Sequence, residues 1–421
     1  MSFDLFAYRE LTDIVGDCED RYDQIEHTVL NPKIQDICRE KQSPEFVSKL
    51  DGFVLRLEDE LMNFRDVEYR GCTLSEKEII DLFYFKFLDV PLLSRMHSVA
   101  EYFVDQVETL RDRDLSDEER EEVMECFRSM YETRDCYVLY SRFLEKEGYR
   151  PLPHCQIEKR RLRYEDVYPV LYLKYTLYQC RNHHGIKHVV VDEMQDYSMI
   201  QYLIIQRLFK CRMTILGDRE QTMDGEQQDV LTFLPKIFGK DIRRIVMNKS
   251  YRNTVEIASY ANKLAGITEV ELFERHGKPV VEKEFPGLEE ALESVVRELR
   301  LEKQAVIAEN ADEGVEDIIS YETAAVITRT ADEAREAYYV LKEKLEAEGF
   351  DTKERLSLLH RDSTNFKKGL TVTTFYMAKG LEFDQVFSVF PGEDRSPIVE
   401  RARYIAATRA LHELYMYEVV K

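Results

Sequence analysis

The apolar and polar positions divide the chain into a helical first part and two later sets of strands that alternate with helices. Up to about residue 150, stretches such as SKLDGFVLRLEDELMNF and MHSVAEYFVDQVETLRDR carry an apolar face and a charged face at helical spacing. Two helix starts carry capping boxes, in which Ser75 is followed by Glu78 and Ser116 by Glu119. The pattern predicts an antiparallel helical bundle or arm.

From about residue 185 the pattern changes to short apolar strands that alternate with helices. The stretches are KHVVVDE, MIQYLIIQRLF, RMTILGD, IRRIVMNKS and TVEIASYANKLAG. A shift in composition at 266–279 and an acidic helical stretch precede a second set, in which the strands are AAVITRT, GLTVTTFYMAKG, FDQVFSVF and ELYMYEVV. Such alternation predicts an α/β fold with parallel sheets. We expect a helical part at 1–150, a first α/β part at 151–265 and a second at 266–421.

Composition limits the class of protein. With 421 residues, 44% of them hydrophobic and 33% charged, the chain is long enough for two or three globular domains. The eight cysteines stand singly, without a CxxC pair, which favours reduced thiols over disulfides or a zinc site. The N-terminus lacks a basic region followed by a long apolar run, and no 18-residue stretch is free of charge. These features predict a cytoplasmic protein with no signal peptide and no membrane span.

The net charge restricts contact with nucleic acid. A formal charge of −22 opposes non-specific attraction to a phosphate backbone, so any such contact must be local. The densest basic cluster is EKRRLR, and we interpret it as a solvated helix start or loop. An acidic chain also suits a partner with a basic surface.

The stretch KHVVVDEMQDYSMIQ ends a strand abruptly with Asp192 and Glu193. Open α/β sheets bind ligands at the carboxyl ends of their strands, which is where these carboxylates would lie. Asp192 could ligate Mg²⁺, and Glu193 could orient or deprotonate the water that attacks in a phosphoryl transfer. A strand that ends in Asp-Glu is also an ordinary loop start, and this alternative stays open for the pair taken alone.

Two further stretches carry groups suited to phosphate. In TILGDREQT, a strand is followed by Asp218 and Gln221. The neutral side-chain amide of Gln221 can bond to a terminal phosphate or its water. NKSYRNT sets Tyr251 and Arg252 just before a helix, where an aromatic ring can stack on a base and a guanidinium can spread negative charge over phosphate oxygens. Each stretch taken alone is also compatible with a purely structural role.

The last third of the chain adds a lysine and an arginine to the set. TTFYMAKGLEFDQV joins a strand to Lys379, Gly380 and Glu382. RYIAATRALHEL sets Arg409 on a predicted helix, where the small residues Ala406, Ala407 and Ala410 would allow close packing. Arg409 could then be directed at a neighbouring domain, and for this arginine taken alone the alternative of an ion pair at the surface stays open.

The order and wording of DExQD, GDxxQ, YR, KGLEFD and YxxxTRA resemble the motor signatures of superfamily 1 helicases of the UvrD/Rep type. The variants HVVVDEMQDYS, YMAKGLEFD and TRALHEL look most like the HelD branch, which is associated with RNA polymerase. The resemblance covers roughly residues 160–421. More loosely, the helical N-terminal part looks like the insertion that this branch carries in its first motor domain.

The resemblance implies a fold and a cofactor. The fold would be α/β with two RecA-like P-loop NTPase domains, the first incomplete, and a large helical N-terminal insertion. ATP and Mg²⁺ would lie between the two domains, and the partners would be DNA, as a single strand or a duplex junction, and RNA polymerase. The implied roles are Asp192 for Mg²⁺, Glu193 for the hydrolytic water, Gln195 and Gln221 as phosphate sensors supported by Asp196 and Asp218, Tyr251 for the adenine, Arg252 and Arg409 as arginine fingers, and Gly380 with Glu382 for the ribose and phosphate region.

One family feature has no counterpart in the sequence. No stretch of the form GxxxxGK[ST] is present, and HGKP at 276–279 is followed by proline and lies beyond the first sheet. The backbone cradle, the phosphate-binding lysine and the Mg²⁺-ligating hydroxyl of the family would therefore be missing. We expect the first sheet to have an unpaired edge, since FVLRLE at 53–58 and CYVLY at 136–140 could fill the gap only in principle.

Three hypotheses about the function follow. In the first, the chain is the C-terminal portion of a HelD-like ATP-dependent helicase or translocase, either a truncation or a natural split product, and is inactive alone. In the second, it is a degenerate motor that binds RNA polymerase without catalysis. In the third, it binds nucleic acid without turnover.

Overall fold

The computed structural model describes residues 2–179, 183, 185–218, 221, 230–239, 241–247, 249–267, 271–301, 321–361, 363 and 368–420. Its first part is helical, as the sequence predicts. The helices are α1 Phe3–Glu10, α2 Arg21–Leu30, α3 Pro32–Gln42, α4 Pro44–Glu60, α5 Glu76–Asp81, α6 Leu92–Arg111, α7 Asp117–Arg128, α8 Cys136–Lys146 and α9 Tyr164–Leu177. The short strands between them are β1 Asp17–Cys18, β2 Val67–Tyr69, β3 Cys72–Leu74 and β4 Arg161–Leu162.

Both predicted capping boxes are confirmed. Ser75 caps α5, where its backbone N–H donates to the Glu78 carboxylate at 2.9 Å. Ser116 caps α7 in the same way, with a distance of 2.8 Å from its N–H to Glu119. Each box satisfies backbone donors that a helix start otherwise leaves without partners, which explains why the signal can be recognised in the sequence.

The first α/β part contains β5 His188–Val191, α10 Met199–Leu208, β6 Arg212–Ile215, α11 Val230–Phe238, β7 Lys249–Ser250, α12 Val255–Ala265 and β8 Glu271–Leu272. β5 pairs in parallel with β6, and β7 pairs in parallel with β8 as a separate ladder. The strand expected over IRRIVMNKS is wrong for 242–247, which form no helix or strand, and of the residues described in this stretch Lys249 and Ser250 alone pair. FVLRLE and CYVLY do not fill the sheet, since they lie in α4 and α8.

The second α/β part forms a six-stranded parallel sheet in the order β11-β12-β10-β13-β14-β9. Its elements are β9 Val281–Phe285, α13 Leu288–Glu298, β10 Thr323–Thr328, α14 Ala331–Ala347, α15 Thr352–Arg355, β11 Leu356–Leu358, β12 Gly369–Thr374, α16 Phe375–Ala378, β13 Phe383–Pro391, α17 Pro397–Thr408 and β14 Ala410–Val419. The four strands that the sequence predicts here are confirmed. Apolar clusters cover both faces of the sheet, one with α13 and α14 and the other with α12, α16 and α17.

The largest apolar core does not stop at residue 150. It runs from Ala7 to Leu208 and so joins the helical part to α9 and α10 of the first α/β part. The division at 150 and 265 stays a prediction. Among the helices that the structure describes, none is both long enough and apolar enough to cross a membrane. The seven cysteines that the structure describes carry free thiols.

α2 leaves the helical part and docks on the second α/β part. Ile25 and Val29 belong to the apolar cluster that contains α12 and α17. The rings of Tyr22 and Tyr376 stack with centroids 5.7 Å apart, and Glu26 accepts a hydrogen bond from the Ala331 N–H at 2.8 Å. The N-terminal segment is therefore in contact with both α/β parts.

Candidate active site

Asp192 and Glu193 follow β5 directly, as the sequence predicts. Glu193 adopts a left-handed conformation with φ 53°, which is uncommon for a residue with a side chain. Its backbone N–H donates to the Asp192 carboxylate at 2.9 Å, and its own carboxylate accepts from the Gln195 amide at 2.5 Å. The turn thus presents two carboxylates at the carboxyl end of the strand, and Asp192 is exposed.

Gln195 joins this turn to the loop after β6. The side chain is buried, and its oxygen accepts a hydrogen bond from the Asp218 N–H at 3.1 Å. The two loops approach so closely that a Cβ on Gly217 would lie 2.4 Å from the Gln195 oxygen and 2.7 Å from the Met194 nitrogen. The GD sequence therefore has a steric reason, since only glycine fits at this crossing.

Gln221 and Arg409 connect the two α/β parts. The Gln221 amide nitrogen donates to Asp218 at 2.9 Å, and its oxygen accepts from the Arg409 guanidinium at 2.7 Å. The Arg409 side chain is only 1% exposed. One detail of the sequence interpretation is wrong: Arg409 ends α17 as its C-cap, and Ala410 begins β14 instead of continuing the helix. The chain turns here because the strand must enter the sheet.

Arg409 lies among charged groups from both parts. Burial, and next the nearby Arg252 cation, lower the pKa of the Arg409 guanidinium to about 10, and the Glu193 and Glu382 carboxylates oppose this shift. Arg252 itself forms an ion pair with Glu382 at 2.7 Å. Arg409 is buried, whereas the Arg252 side chain is 47% exposed, so one desolvated guanidinium and one accessible guanidinium lie near each other and together favour an anion.

Tyr251 and Gly380 complete the set of residues named from the sequence. Tyr251 precedes Arg252 and is exposed, with its ring available to a ligand. Gly380 has φ 83°, and a Cβ there would meet nothing within 4 Å, so the backbone faces open space. The structure thus gathers, through contacts or electrostatic coupling, Glu193, Gln195, Gln221, Arg252, Glu382 and Arg409. Asp192 and Tyr251 are next to Glu193 and Arg252 in the chain, and Gly380 lies two residues before Glu382.

Sequence reasoning missed Arg21, and it named Lys379 within KGLEFD without giving it a role. The Lys379 ammonium lies 2.7 Å from Asp196 and 3.3 Å from Glu193, and it donates to the Gln221 carbonyl at 2.8 Å. Arg21, at the start of α2, lies 3.3 Å from the other Asp196 oxygen. The KG pair of Lys379 and Gly380 was the signal that could have given Lys379 a role. Arg21 had no local signal, because its partner lies far along the chain.

The side chains of the candidate site carry the chemical groups that a nucleoside triphosphate with Mg²⁺ would need. Mg²⁺ is commonly held by one or two carboxylates together with phosphate oxygens and water, and Asp192 offers an exposed carboxylate. Arg252 and Arg409 carry planar guanidiniums, a geometry that matches phosphate. In the structure, Arg409 donates to Gln221 and to the Leu381 carbonyl, and Arg252 pairs with Glu382. The exposed Tyr251 ring offers a stacking surface for a base.

Comparisons with known proteins agree with the motifs in part. A family model described as the UvrD/REP helicase N-terminal domain matches residues 22–223, somewhat less than half of the chain. This match supports a superfamily 1, UvrD-like helicase. The chain matches none of the curated proteins searched.

Solved structures similar to the chain are also helicases. The C-terminal domain of a possible DNA helicase from Lactobacillus is 21% identical, with 40% of this chain and 88% of that chain covered and a TM-score of 0.28. The PRRSV helicase is 13% identical, with 67% and 45% covered and a TM-score of 0.30. Arterivirus nonstructural protein 10, a helicase in complex with DNA, is 15% identical, with 68% and 51% covered and a TM-score of 0.29. The chain spans about half of the length of each viral helicase.

Proposed function

We propose that this chain is part of an ATP-dependent superfamily 1 DNA helicase or translocase of the UvrD type, closest to the HelD branch. The observation that carries the proposal is the hydrogen bond of 2.7 Å between the buried Arg409 and Gln221, which joins motif residues from the two α/β parts. A catalytic cation from one part that reaches a phosphate sensor on the other is what an ATP cleft between two domains requires. The family match over residues 22–223 supports the same assignment.

The chain's residues would divide the work as follows. ATP with Mg²⁺ would supply the phosphoanhydride bond whose hydrolysis drives movement on nucleic acid. Asp192 would hold the metal, and Glu193 would take the proton of the attacking water. Gln195 and Gln221 would contact the terminal phosphate, and Arg252 and Arg409 would stabilise its charge, an effect worth on the order of 10³ to 10⁵ in turnover at comparable sites. Tyr251 would stack on the adenine, with Gly380 and Glu382 at the ribose.

We further propose that this chain alone hydrolyses ATP little or not at all. It contains no GxxxxGK[ST] stretch, and such a loop supplies the backbone N–H groups and the lysine that hold the phosphates. Nucleotide binding would then rest on the arginines, the aromatic ring and the metal. Within the proposal the protein is cytoplasmic and acts on DNA, with RNA polymerase as a further partner.

The second candidate is a degenerate motor that binds RNA polymerase without catalysis. The net charge of −22 favours it, because an acidic surface suits a basic partner. Glu193, Arg252 and Arg409 favour the motor instead, since a module without turnover has no chemical use for them. Failure of the purified chain to bind purified polymerase would count against the second candidate.

The decisive experiment measures ATP binding and hydrolysis by the chain alone and after addition of a segment that carries a GxxxxGK[ST] loop. We expect binding with little hydrolysis by the chain alone, and hydrolysis after the addition that Glu193→Gln abolishes because the water loses its proton acceptor. Glu336→Gln, at an exposed position of α14, is the matched control and should leave the rate unchanged. Robust hydrolysis by the chain alone would refute the role given to the missing loop.

A further inference from the structure

Two aromatic side chains stand next to each other at one end of the β7–β8 ladder. Ser250 of β7 pairs with Leu272 of β8, so the next residues, Tyr251 and Phe273, leave the ladder in step. The Phe273 N–H donates to the Ser250 carbonyl at 3.0 Å and fixes this register. The two ring centroids lie 5.4 Å apart at an angle of 39°. The pair is therefore held by backbone geometry and not by a chance approach of two side chains.

Both rings are open to solvent. Tyr251 is 61% exposed and Phe273 is 47% exposed. A single exposed aromatic residue is ordinary, whereas adjoining exposed rings form an apolar surface that is more typical of a binding site. The rings are too close for a base to enter between them. A flat ligand would stack on the face of one ring and meet the other ring at an angle, because the two ring planes are inclined by 39°.

The surface adjoins the proposed phosphate-binding groups. Arg252 follows Tyr251 and pairs with Glu382, and the Arg275 guanidinium donates to the Arg252 carbonyl from the segment that carries Phe273. The Lys249 ammonium lies 5.7 Å from the centroid of the Tyr251 ring. A ligand with a flat apolar end and an anionic end would meet the rings with one end and the guanidiniums with the other.

We propose that Phe273 is the second ring of a base platform that it forms with Tyr251. This inference rests on the proposed function and deepens it, because it assigns a residue that no motif contains and a preference for the base. A purine stacked on Tyr251 would also reach the inclined Phe273 ring with its second fused ring, whereas the shorter pyrimidine would contact Tyr251 alone. The ligand class is therefore a purine nucleoside triphosphate.

The test is equilibrium binding to the full chain, by calorimetry, of ATP, CTP and inorganic tripolyphosphate, which has the charge of the nucleotide without its base. Stacking contributes on the order of 1–3 kcal/mol per base, so Phe273→Ala should weaken ATP binding by about tenfold. Its effect on CTP should be smaller, and tripolyphosphate binding should stay unchanged. Phe273→Tyr should restore ATP binding. Phe85→Ala, at a residue 77% exposed in the helical part, is the matched control.

Each other outcome has a definite meaning. If ATP binds the unaltered chain and Phe273→Ala binds it equally well, the platform is wrong and the proposed function stands. If Phe273→Ala weakens ATP and tripolyphosphate alike, Phe273 supports the fold and not the base. If ATP does not bind the unaltered chain, the nucleotide cleft and the platform are both wrong. If Phe273→Ala weakens a single-stranded oligonucleotide but not ATP, the rings bind nucleic acid, which also overturns the platform.

Discussion

The two parallel sheets of this protein contain equally apolar strands but differ sharply in burial. In β5, Val191 is buried whereas Val190 is 61% exposed. In β10, every residue from Ala324 to Thr328 is buried. The described residues give β5 one neighbouring strand, β6, whereas β10 lies between β12 and β13 with helices over both faces. An apolar strand is buried by its neighbours, and its own composition only permits that burial.

The same difference separates the two halves of the candidate site. The acidic side chains Asp192 and Glu193 extend from the sparsely covered sheet. The cations that face them, Lys379 and Arg409, come from the fully covered sheet and are almost completely buried. The second sheet can hold these cations in a desolvated place because its packing fixes their positions, and a desolvated cation interacts more strongly with an anion.

The largest expected effect concerns Lys379, which joins the two halves. Lys379 and Asp196 are both 6% exposed and lie 2.7 Å apart. Lys379→Met leaves the carboxylates without this partner and should reduce the free energy of unfolding by about 3 kcal/mol, measured by urea denaturation. Lys368→Met breaks an exposed ion pair with Glu322 and should cost less than about 1 kcal/mol. Equal losses for the two variants would show that the buried contact does not tie the halves together.

The next largest effect comes from the same Val→Ala substitution made once in each sheet, which tests whether the two sheets differ in burial. Val326 of β10 is fully buried, so Val326→Ala removes two buried methyl groups and should destabilise the protein by about 2 kcal/mol. Val190→Ala, on the exposed face of β5, should change stability by less than about 0.5 kcal/mol. Urea denaturation of both variants measures the difference. A Val190→Ala loss as large as that of Val326→Ala would mean that β5 is covered in solution.

The smallest effect is a pH dependence at the start of α12. The hydrogen bond with His276 is the main cause that lowers the pKa of Glu256 to about 2, and the Gly277 N–H adds to it. Because the folded pKa lies below the unfolded value, the stabilisation is complete above about pH 4.5 and is lost as the pH falls towards 2. Carbon-13 NMR titration should give the lowered pKa directly. In His276→Ala the pKa of Glu256 should move back towards its ordinary value, and an unchanged value would contradict the assigned cause.

Much of the fold could be predicted because its signals are local. Ser75 and Ser116 mark helix starts by contacts three residues away, and Val189–Val191 run into Asp192 at the end of a strand as the pattern indicates. The prediction of a strand over IRRIVMNKS was wrong because a strand also needs a partner, which is not a local property. Its apolar residues match the strand pattern, but over 242–247 no partner strand pairs with them, and Ile245 and Met247 remain exposed.

The sequence by itself predicted a type of chemistry and determined which residues follow each strand. Asp192, Glu193 and Gln221 can be assigned from their position after apolar strands, since that position depends on the alternation of neighbouring residues. Only the tertiary structure decided which groups meet. Arg409 reaches Gln221 from 188 residues away, Lys379 reaches Asp196 from 183, and Arg21 reaches the same carboxylate from α2. Such contacts depend on how complete sheets and helices pack against one another, and no periodicity along the chain encodes that packing.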